Sequence, residues 1–325
     1  MRTRLLQFMT AGCAALMLGT LAAPANAQYP DRIVKIQVGF AAGGGADIIA
    51  RWYADKLSKA LNGNVIVENR VGASGNLALD ATARAKPDGY TIMLASTVTT
   101  AGNAAVFKQM PMDVRKDIMS VVGFAETPFV LCVAPDSPIN SVAELTAFLK
   151  SKDGKATYGS ATTSALASTA IYLQKVGAEA TYVAYKSTGT AIQDLTGKQI
   201  DFAFADVVFA SGQAKQGRIK ILANASDTRS PGLPDVPTLK ELVGANTGDI
   251  VALWGLWLPA GTPKDIFDKL AQATNDITKS DDTQKFLITQ GATPWVATPE
   301  EYRKKFDLAL KAWAEAVKLA KIEAQ

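Results

Sequence analysis

The sequence contains no histidine and only two cysteines among its 325 residues. Without histidine, the chain lacks the usual general base of serine and cysteine hydrolases and the commonest zinc ligand. Catalysis by carboxylates or by a Ser-Lys pair would still be possible, but the sequence shows no recognisable motif for either. These absences argue against a hydrolase and against a metal centre, and we expect no cofactor.

The first 27 residues are typical of a secretory signal peptide. Two arginines precede an apolar run from Leu5 to Leu21, and Ala25-Asn26-Ala27 is a cleavage signal of small residues. Cys13 lies inside the apolar run, so free secretion is favoured over lipid attachment. We therefore expect a periplasmic protein whose mature chain begins near Gln28.

The mature chain lacks a second cysteine, a strong net charge and any long apolar run. Cleavage leaves Cys132 alone, so no intramolecular disulfide can form. The leader carries two of the 34 basic residues, which leaves 32 against 30 acidic residues and no electrostatic signature of nucleic-acid binding. No later segment reaches the roughly 18 apolar residues of a membrane span. We expect a soluble protein, long enough for two domains.

Strand-like and helix-like segments alternate along the mature chain, which predicts an α/β fold with mainly parallel sheets. The predicted strands are residues 33–40, 65–68, 90–95, 129–134, 156–158, 180–184, 202–204 and 219–223. The predicted helices are residues 47–61, 78–85, 142–149, 166–175, 191–196, 264–279 and 299–324, the last with Thr298 as its N-cap.

Two strongly apolar segments, each ending at a proline, predict where the chain crosses between two lobes. They are residues 129–135 and 253–259, and they enclose a central block with its own α/β pattern. With the signal peptide at 1–27, this layout predicts lobe I from residues 28–130 plus 255–325 and lobe II from residues 131–254. A small ligand is expected in the cleft between them.

A glycine-rich turn lies between the first predicted strand and the first predicted helix. The apolar period changes from two to about 3.6 across Gly43, Gly44 and Gly45. Such a turn leaves backbone N–H groups unpaired at the positive end of the helix, where they can bind a carboxylate or a phosphate. The predicted ligand contacts are Phe40, Ala41, Gly43, Gly44, Gly45, Ala46 and Asp47.

Two other interpretations of this turn remain. It could be only a tight connection between strand and helix. It also partly matches a dinucleotide-binding fingerprint, because Gly43 and Gly45 are correctly spaced and Glu68 follows about 20 residues later. The third glycine of that fingerprint is missing, since Ile48 occupies the position where close helix packing needs a small residue. Nucleotide binding is therefore disfavoured.

Several segments occur in an order that is characteristic of one family. They are Tyr29-Pro30, the turn from Phe40 to Asp47, Val67 to Asn76, Lys86 to Thr91, Tyr185-Lys186 and Pro259 to Pro263. Together they resemble the Bug family, the periplasmic solute-binding receptors of tripartite tricarboxylate transporters, over nearly the whole mature chain. The resemblance implies a two-lobed type II periplasmic-binding fold without enzymatic activity. Such a receptor closes over a small carboxylate, as a monomer, and presents it to the membrane components of the transporter.

Hydroxyl-rich turns after two predicted strands are further candidates for ligand contact. Their residues are Ser96, Thr97 and Thr99 in lobe I, and Ser160, Thr162, Thr163 and Ser164 in lobe II. Parallel sheets bind ligands at such carboxyl ends, so two facing turns would suit a dicarboxylate. The first set could instead be a solvated turn and the second a plain helix N-cap.

The resemblance adds Tyr185, Lys186 and Asp206 to the candidate site. Lys186 could neutralise a second carboxylate, although a lone lysine is usually a solvated surface charge. Asp206 follows a strand at a place where the family often has an acidic residue near the ligand. A carboxylate beside an anion is costly unless it accepts a hydrogen bond, so Asp206 would select ligands or simply cap a helix.

Some residues near these motifs are expected to support the structure. Asn69, Arg70 and Asn76 are predicted to brace the lobe I turns, and Trp254 and Trp257 to pack in the core or hinge. Trp254 could alternatively form an aromatic wall of the site. A sensory receptor for a membrane kinase would need the same pocket, and a hydrolase would consume the ligand, so both remain alternative functions.

Overall fold

The computed structural model describes residues 29–245, 250–319 and 322, so the predicted signal peptide lies outside the described residues. The elements in chain order are β1 (Val34–Val38), α1 (Gly45–Ala60), β2 (Val65–Asn69), α2 (Asn76–Ala83), β3 (Thr91–Ser96), α3 (Asn103–Val106), β4 (Ile118–Thr127), β5 (Phe129–Val133), α4 (Val142–Lys152), β6 (Thr157–Ser160), α5 (Thr163–Val176), β7 (Thr181–Ala184), α6 (Thr188–Thr196), β8 (Phe202–Asp206), α7 (Val207–Lys215), β9 (Lys220–Asn224), α8 (Leu239–Val243), β10 (Ala252–Pro259), α9 (Lys264–Lys279), α10 (Asp281–Thr289), β11 (Thr293–Pro294) and α11 (Pro299–Leu319). A 3₁₀ turn at Ala73–Gly75 precedes α2, and a π-helical turn at Val98–Gly102 precedes α3.

The strands form two separate sheets with helices packed around them, which confirms the predicted two-lobed α/β class. One sheet has the order β11-β4-β10-β3-β1-β2 and the other the order β7-β6-β8-β5-β9. The prediction of mainly parallel sheets is wrong, because both sheets are mixed. Strand β10 runs antiparallel to β3 and β4, and β5 runs antiparallel to β8 and β9. Each of these two strands follows a strand of the other sheet, so no connection within one sheet forces it to be parallel to its neighbours.

The chain passes between the two sheets twice. The first passage is at Pro128, between the last residue of β4 and the first residue of β5. The second lies between β9 and β10, in the segment that contains α8. The two apolar segments that were predicted to connect the lobes are instead strands within one sheet each. Residues 129–133 form β5, and residues 253–259 belong to β10. We therefore propose to move the lobe boundaries from 130 to Pro128 and from 255 to a point before Ala252.

Each sheet contains an internal strand that is fully buried. All residues of β10 and all residues of β5 are buried. Helix α11 packs over the first of these sheets through Tyr302, Phe306 and Trp313, which are completely buried. Sequence analysis found most elements but missed β4, α7 and α10 and the short elements α3, α8 and β11. Strand β4 is covered on both faces and therefore shows no alternation of apolar and polar residues. Within the described residues, no helix has both the length and the apolar character that crossing a bilayer requires.

Candidate functional site

A cavity of about 570 Å³ lies between the two lobes. Lobe I contributes the glycine turn, the end of β3 and the start of β10. Lobe II contributes the ends of β6, β7 and β8 and the helices that follow them. The lining residues are Phe40, Ala41, Ala42, Gly43, Gly44, Gly45, Ala46, Ser96, Val98, Phe129, Thr162, Ser187, Thr188, Gly189, Ile192, Gln193, Thr196, Asp206, Phe209, Gln213, Arg218, Ala252 and Trp254.

The N-terminus of α1 forms the lobe I side of the cavity. Its N-cap is Gly44, which has no side chain to cap the helix. The first-turn N–H groups of an α-helix have no partner within the helix, so those of Gly45 and Ala46 are available to the cavity. The positive end of the helix macrodipole adds to their attraction for an anion.

Asp47 fixes the shape of the glycine turn from behind. Its carboxylate accepts hydrogen bonds from the Gly43 N–H at 2.9 Å, from the Arg51 guanidinium at 2.8 Å and from the Asn69 amide at 2.9 Å. Burial alone would raise the pKa of Asp47, but these hydrogen bonds, led by that from Arg51, outweigh it and hold the pKa below its usual range. Asn69 also donates to the Phe40 carbonyl at 3.0 Å, in keeping with the predicted bracing role.

Three helices of lobe II also begin at the cavity. The N-caps of α5, α6 and α7 are Thr162, Ser187 and Asp206, and all three line the cavity. Each side chain accepts a hydrogen bond from an N–H of its own helix. The other first-turn N–H groups have no partner within their helices. Together with α1, four positive helix ends therefore face one cavity from both lobes.

Asp206 of lobe II lies directly beside Gly45 of lobe I. A Cβ atom placed on Gly45 would overlap the Asp206 carboxylate, and it would lie 3.1 Å from the Val208 Cβ. Burial raises the pKa of Asp206 to about 6, although hydrogen bonds from the Phe209 N–H and from its own N–H oppose the shift. The site therefore contains a carboxyl group that changes charge under mildly acidic conditions.

The structure brings part of the predicted site together. Of the predicted contacts, Phe40, Ala41, Gly43, Gly44, Gly45, Ala46, Ser96, Thr162 and Asp206 line the cavity, and Trp254 forms part of its wall. The Trp254 indole donates to the Thr127 hydroxyl at 2.7 Å, while Trp257 is buried in the core against Tyr302 and Phe306.

The remaining predicted residues are placed outside the lining. Asp47 braces the glycine turn, Thr97 bonds to Val251 and Leu253, Ser160 to the Thr162 carbonyl, Thr163 to Asn103, Ser164 to the Ile250 carbonyl and Tyr185 to Asp194. Thr99 is buried, with no hydrogen-bond partner for its hydroxyl among the described residues, and Lys186 is exposed. The hydroxyls of Thr97, Ser160, Thr163, Ser164 and Tyr185 are therefore committed to hydrogen bonds within the protein.

Sequence analysis missed the turn at the start of α6 and the lining residues Gln213 and Arg218. Ser187, Thr188 and Gly189 follow β7 as hydroxyl-rich turns follow the other strands, and this repeated pattern could have identified them. The prediction instead stopped at Tyr185 and Lys186 and began the helix at residue 191. Nothing in the sequence around Gln213 or Arg218 distinguished them from surface residues.

The sequence matches the model of the tripartite tricarboxylate transporter family receptor over residues 49–320. The chain belongs to this family. It is 30% identical to the protein BugT of Bordetella pertussis over 306 residues, 92% of each chain. Among solved structures it is similar to the periplasmic binding protein BugD, with a TM-score of 0.85 and 30% identity over 91% of this chain and 100% of that one.

Two further structural relatives carry ligands. A protein of R. palustris solved with adipate has a TM-score of 0.87 and 27% identity, covering 91% of this chain and 99% of that one. MatC from Rhodopseudomonas palustris, with bound malate, has a TM-score of 0.82 and 28% identity, covering 89% of this chain and 100% of that one. The fold of this chain is therefore that of a two-lobed periplasmic solute-binding receptor.

Proposed function

We propose that this receptor captures a small dicarboxylate between its lobes and does not transform it. The observation that carries the proposal is the convergence of four helix N-termini, one from lobe I and three from lobe II, on one cavity. Their N–H groups attract negative charge from opposite sides. A ligand with two carboxylates would therefore bind both lobes at once and hold them closed.

The chemistry of the cavity supports recognition by backbone and hydroxyl groups. The described residues of the lining include Ser96, Thr162 and Ser187, and none of them is a lysine. The adipate and malate bound by the two relatives are both dicarboxylates. A dicarboxylate, a tricarboxylate or an aromatic acid all offer the anion that these helix ends attract.

The proposed role also includes a periplasmic location and membrane-protein partners. We infer that the signal peptide is removed near Ala27 and that the mature monomer works in the periplasm. Ligand binding shifts the population toward the closed form, and the membrane components of a tripartite tricarboxylate transporter recognise that form. Family membership and the absence of any histidine from the chain support a receptor over an enzyme.

A thermal-shift assay with charged and neutral ligand pairs tests this function. Malate and adipate should raise the melting temperature in a concentration-dependent way, because a ligand that binds only the native state stabilises it by mass action. Adipamide has the length of adipate without its charges and should give no shift. Equal shifts for adipate and adipamide, or none for any carboxylate, would contradict the proposal. Recovery of the ligand unchanged after long incubation separates a receptor from a hydrolase.

A further inference from the structure

The cavity continues beyond the helix N-termini as a groove between α6 and α7. Along α6 the groove is lined by Ile192 and Thr196, one and two turns after the start of the helix. Along α7 it is lined by Phe209 and Gln213, which are also one turn apart. The two helices therefore present one face each to the same groove over their full lengths.

The groove leads from the positive helix ends to a single cationic side chain. Helix α6 rises about 12 Å from Thr188 to Thr196 at 1.5 Å per residue. At its far end the Thr196 hydroxyl donates to the Arg218 carbonyl at 3.2 Å, so Arg218 lies at the C-terminal ends of both helices. Among the described residues that line the cavity, Arg218 and Asp206 are the two charged ones, and they lie at opposite ends of α7.

The guanidinium of Arg218 has little else to bind. Its one side-chain hydrogen bond is donated to the Gln213 side chain at 3.5 Å, which is long. It takes part in no ion pair with any residue that the structure describes, and the side chain is exposed. Between Arg218 and the helix N-termini, Ile192 and Phe209 give the groove an apolar middle.

We propose that the ligand is an elongated dianion, whose second anionic group lies in the groove between α6 and α7 and is bound by Arg218. This inference rests on the proposed function, which places the first carboxylate at the helix N-termini. A linear α,ω-dicarboxylate longer than adipate fits the arrangement, because its apolar chain would lie along Ile192 and Phe209. A guanidinium is suited to the distal carboxylate because its planar fork can donate two parallel hydrogen bonds.

Calorimetry on the mature protein with ligands of graded length tests the proposal. Sebacate, whose extended chain separates its carboxylates by roughly the length of the groove, should bind more tightly than decanoate, the monocarboxylate of equal chain length. In Arg218→Gln the affinity for sebacate should fall by about tenfold or more, the scale of a charge-assisted hydrogen bond. The affinity for malate should stay within about twofold, because a short ligand does not reach Arg218.

Lys215→Gln is the matched control. Lys215 is the last residue of α7, three positions before Arg218, carries the same charge and donates to the Thr289 carbonyl outside the cavity. Its loss should leave the preference for sebacate over decanoate unchanged. The proposal is overturned if both variants weaken sebacate equally, if Arg218→Gln has no effect, or if sebacate binds no better than decanoate. Binding of malate without sebacate would refute only this inference, whereas binding of no carboxylate would refute the proposed function as well.

Discussion

The single residue Asp206 both caps a helix and contacts the other lobe. One carboxylate oxygen accepts the Phe209 N–H and caps α7, while the group as a whole faces Gly45 of the other lobe across the cavity. Among the described residues, no cation lies beside the Asp206 carboxyl group. The neighbouring titratable group is the buried Cys132 thiol. Asp47 is paired with Arg51, and Arg218 lies at the far end of α7. The surroundings of Asp206 therefore favour its neutral form.

The raised pKa of Asp206 predicts a specific pH dependence. In the unfolded chain the carboxyl group titrates near 3.8, and in the native protein near 6. Between these values the native protein holds more protons, so this residue lowers the free energy of unfolding as the pH rises through that window. In Asp206→Asn this contribution should vanish, while the cap is kept because asparagine caps helices as well as aspartate does.

Urea unfolding of both proteins at several pH values checks this prediction. The difference in the free energy of unfolding between the variant and the wild type should grow in favour of the variant from about pH 4 to about pH 6. Other carboxyl groups contribute to both proteins equally and cancel. A difference that is constant across this range would show that the pKa of Asp206 is not raised.

What the sequence reveals at this scale depends on local chemistry. The glycine turn could be predicted because a glycine run is visible in the chain, whereas Asp206 was a candidate through the family resemblance. The sequence could not show that the Thr163 and Ser164 hydroxyls donate to Asn103 and Ile250, because those partners are distant along the chain. Arg218 could not be found for the same reason, since only the packing of α6 beside α7 brings it to the cavity.

At the element scale, the C-terminal helix depends on two glycines of the central sheet. Gly123 of β4 and Gly255 of β10 are paired across the sheet. A Cβ on either residue would collide with the ring of Tyr302, which is fully buried where α11 packs on these strands. The absence of side chains at the paired positions therefore sets how closely α11 approaches the sheet.

Gly255→Ala should destabilise the protein by about 1–3 kcal/mol, the usual cost of adding a methyl group to a packed core.

The opposite result is expected for Gly212→Ala. Gly212 lies inside α7 with no atom near its Cβ position, so alanine should add about 0.5–1 kcal/mol through its higher helix propensity. Denaturant unfolding of the two variants measures both values. An unchanged stability of Gly255→Ala would show that α11 can move outward without loss.

Helix ends were predicted better than strand neighbours. Thr298 was expected to cap the last helix, and its hydroxyl accepts the Glu301 N–H at 3.1 Å while Glu301 accepts the Thr298 N–H in return. Such caps are encoded within a few residues. Strand direction is encoded by distant contacts, so the antiparallel placement of β10 between β3 and β4 was not visible in the sequence.

At the scale of the whole molecule, the contact between Gly45 and Asp206 shows how tightly the lobes meet. The two-lobed layout could be predicted from two apolar segments around a central block, but the passages themselves could not be located. The position of each passage depends on which sheet the buried strands β5 and β10 join, and this is determined by contacts between residues far apart in sequence.

Gly45→Ala should keep the two lobes from closing fully, because its methyl group would occupy the space of the Asp206 carboxylate. We expect an affinity for adipate at least about tenfold lower, since the ligand would lose contact with one lobe. Small-angle scattering should show that adipate makes the wild type more compact and leaves the variant unchanged. Each lobe should remain folded, as circular dichroism would report. Normal compaction of the variant would mean that Gly45 does not limit closure.

The position of β10 in the sheet has a consequence for the order in which the two lobes fold. Lobe II is built from one continuous stretch of strands, β5 to β9, whereas the sheet of lobe I has β10 between β3 and β4. Lobe II can therefore complete its sheet while lobe I still lacks an internal strand. Until residues 252–259 join the sheet of lobe I, β3 and β4 have no partner between them. Contacts between such distant parts of a chain form slowly, so the amino-terminal third of this protein must wait for the last third.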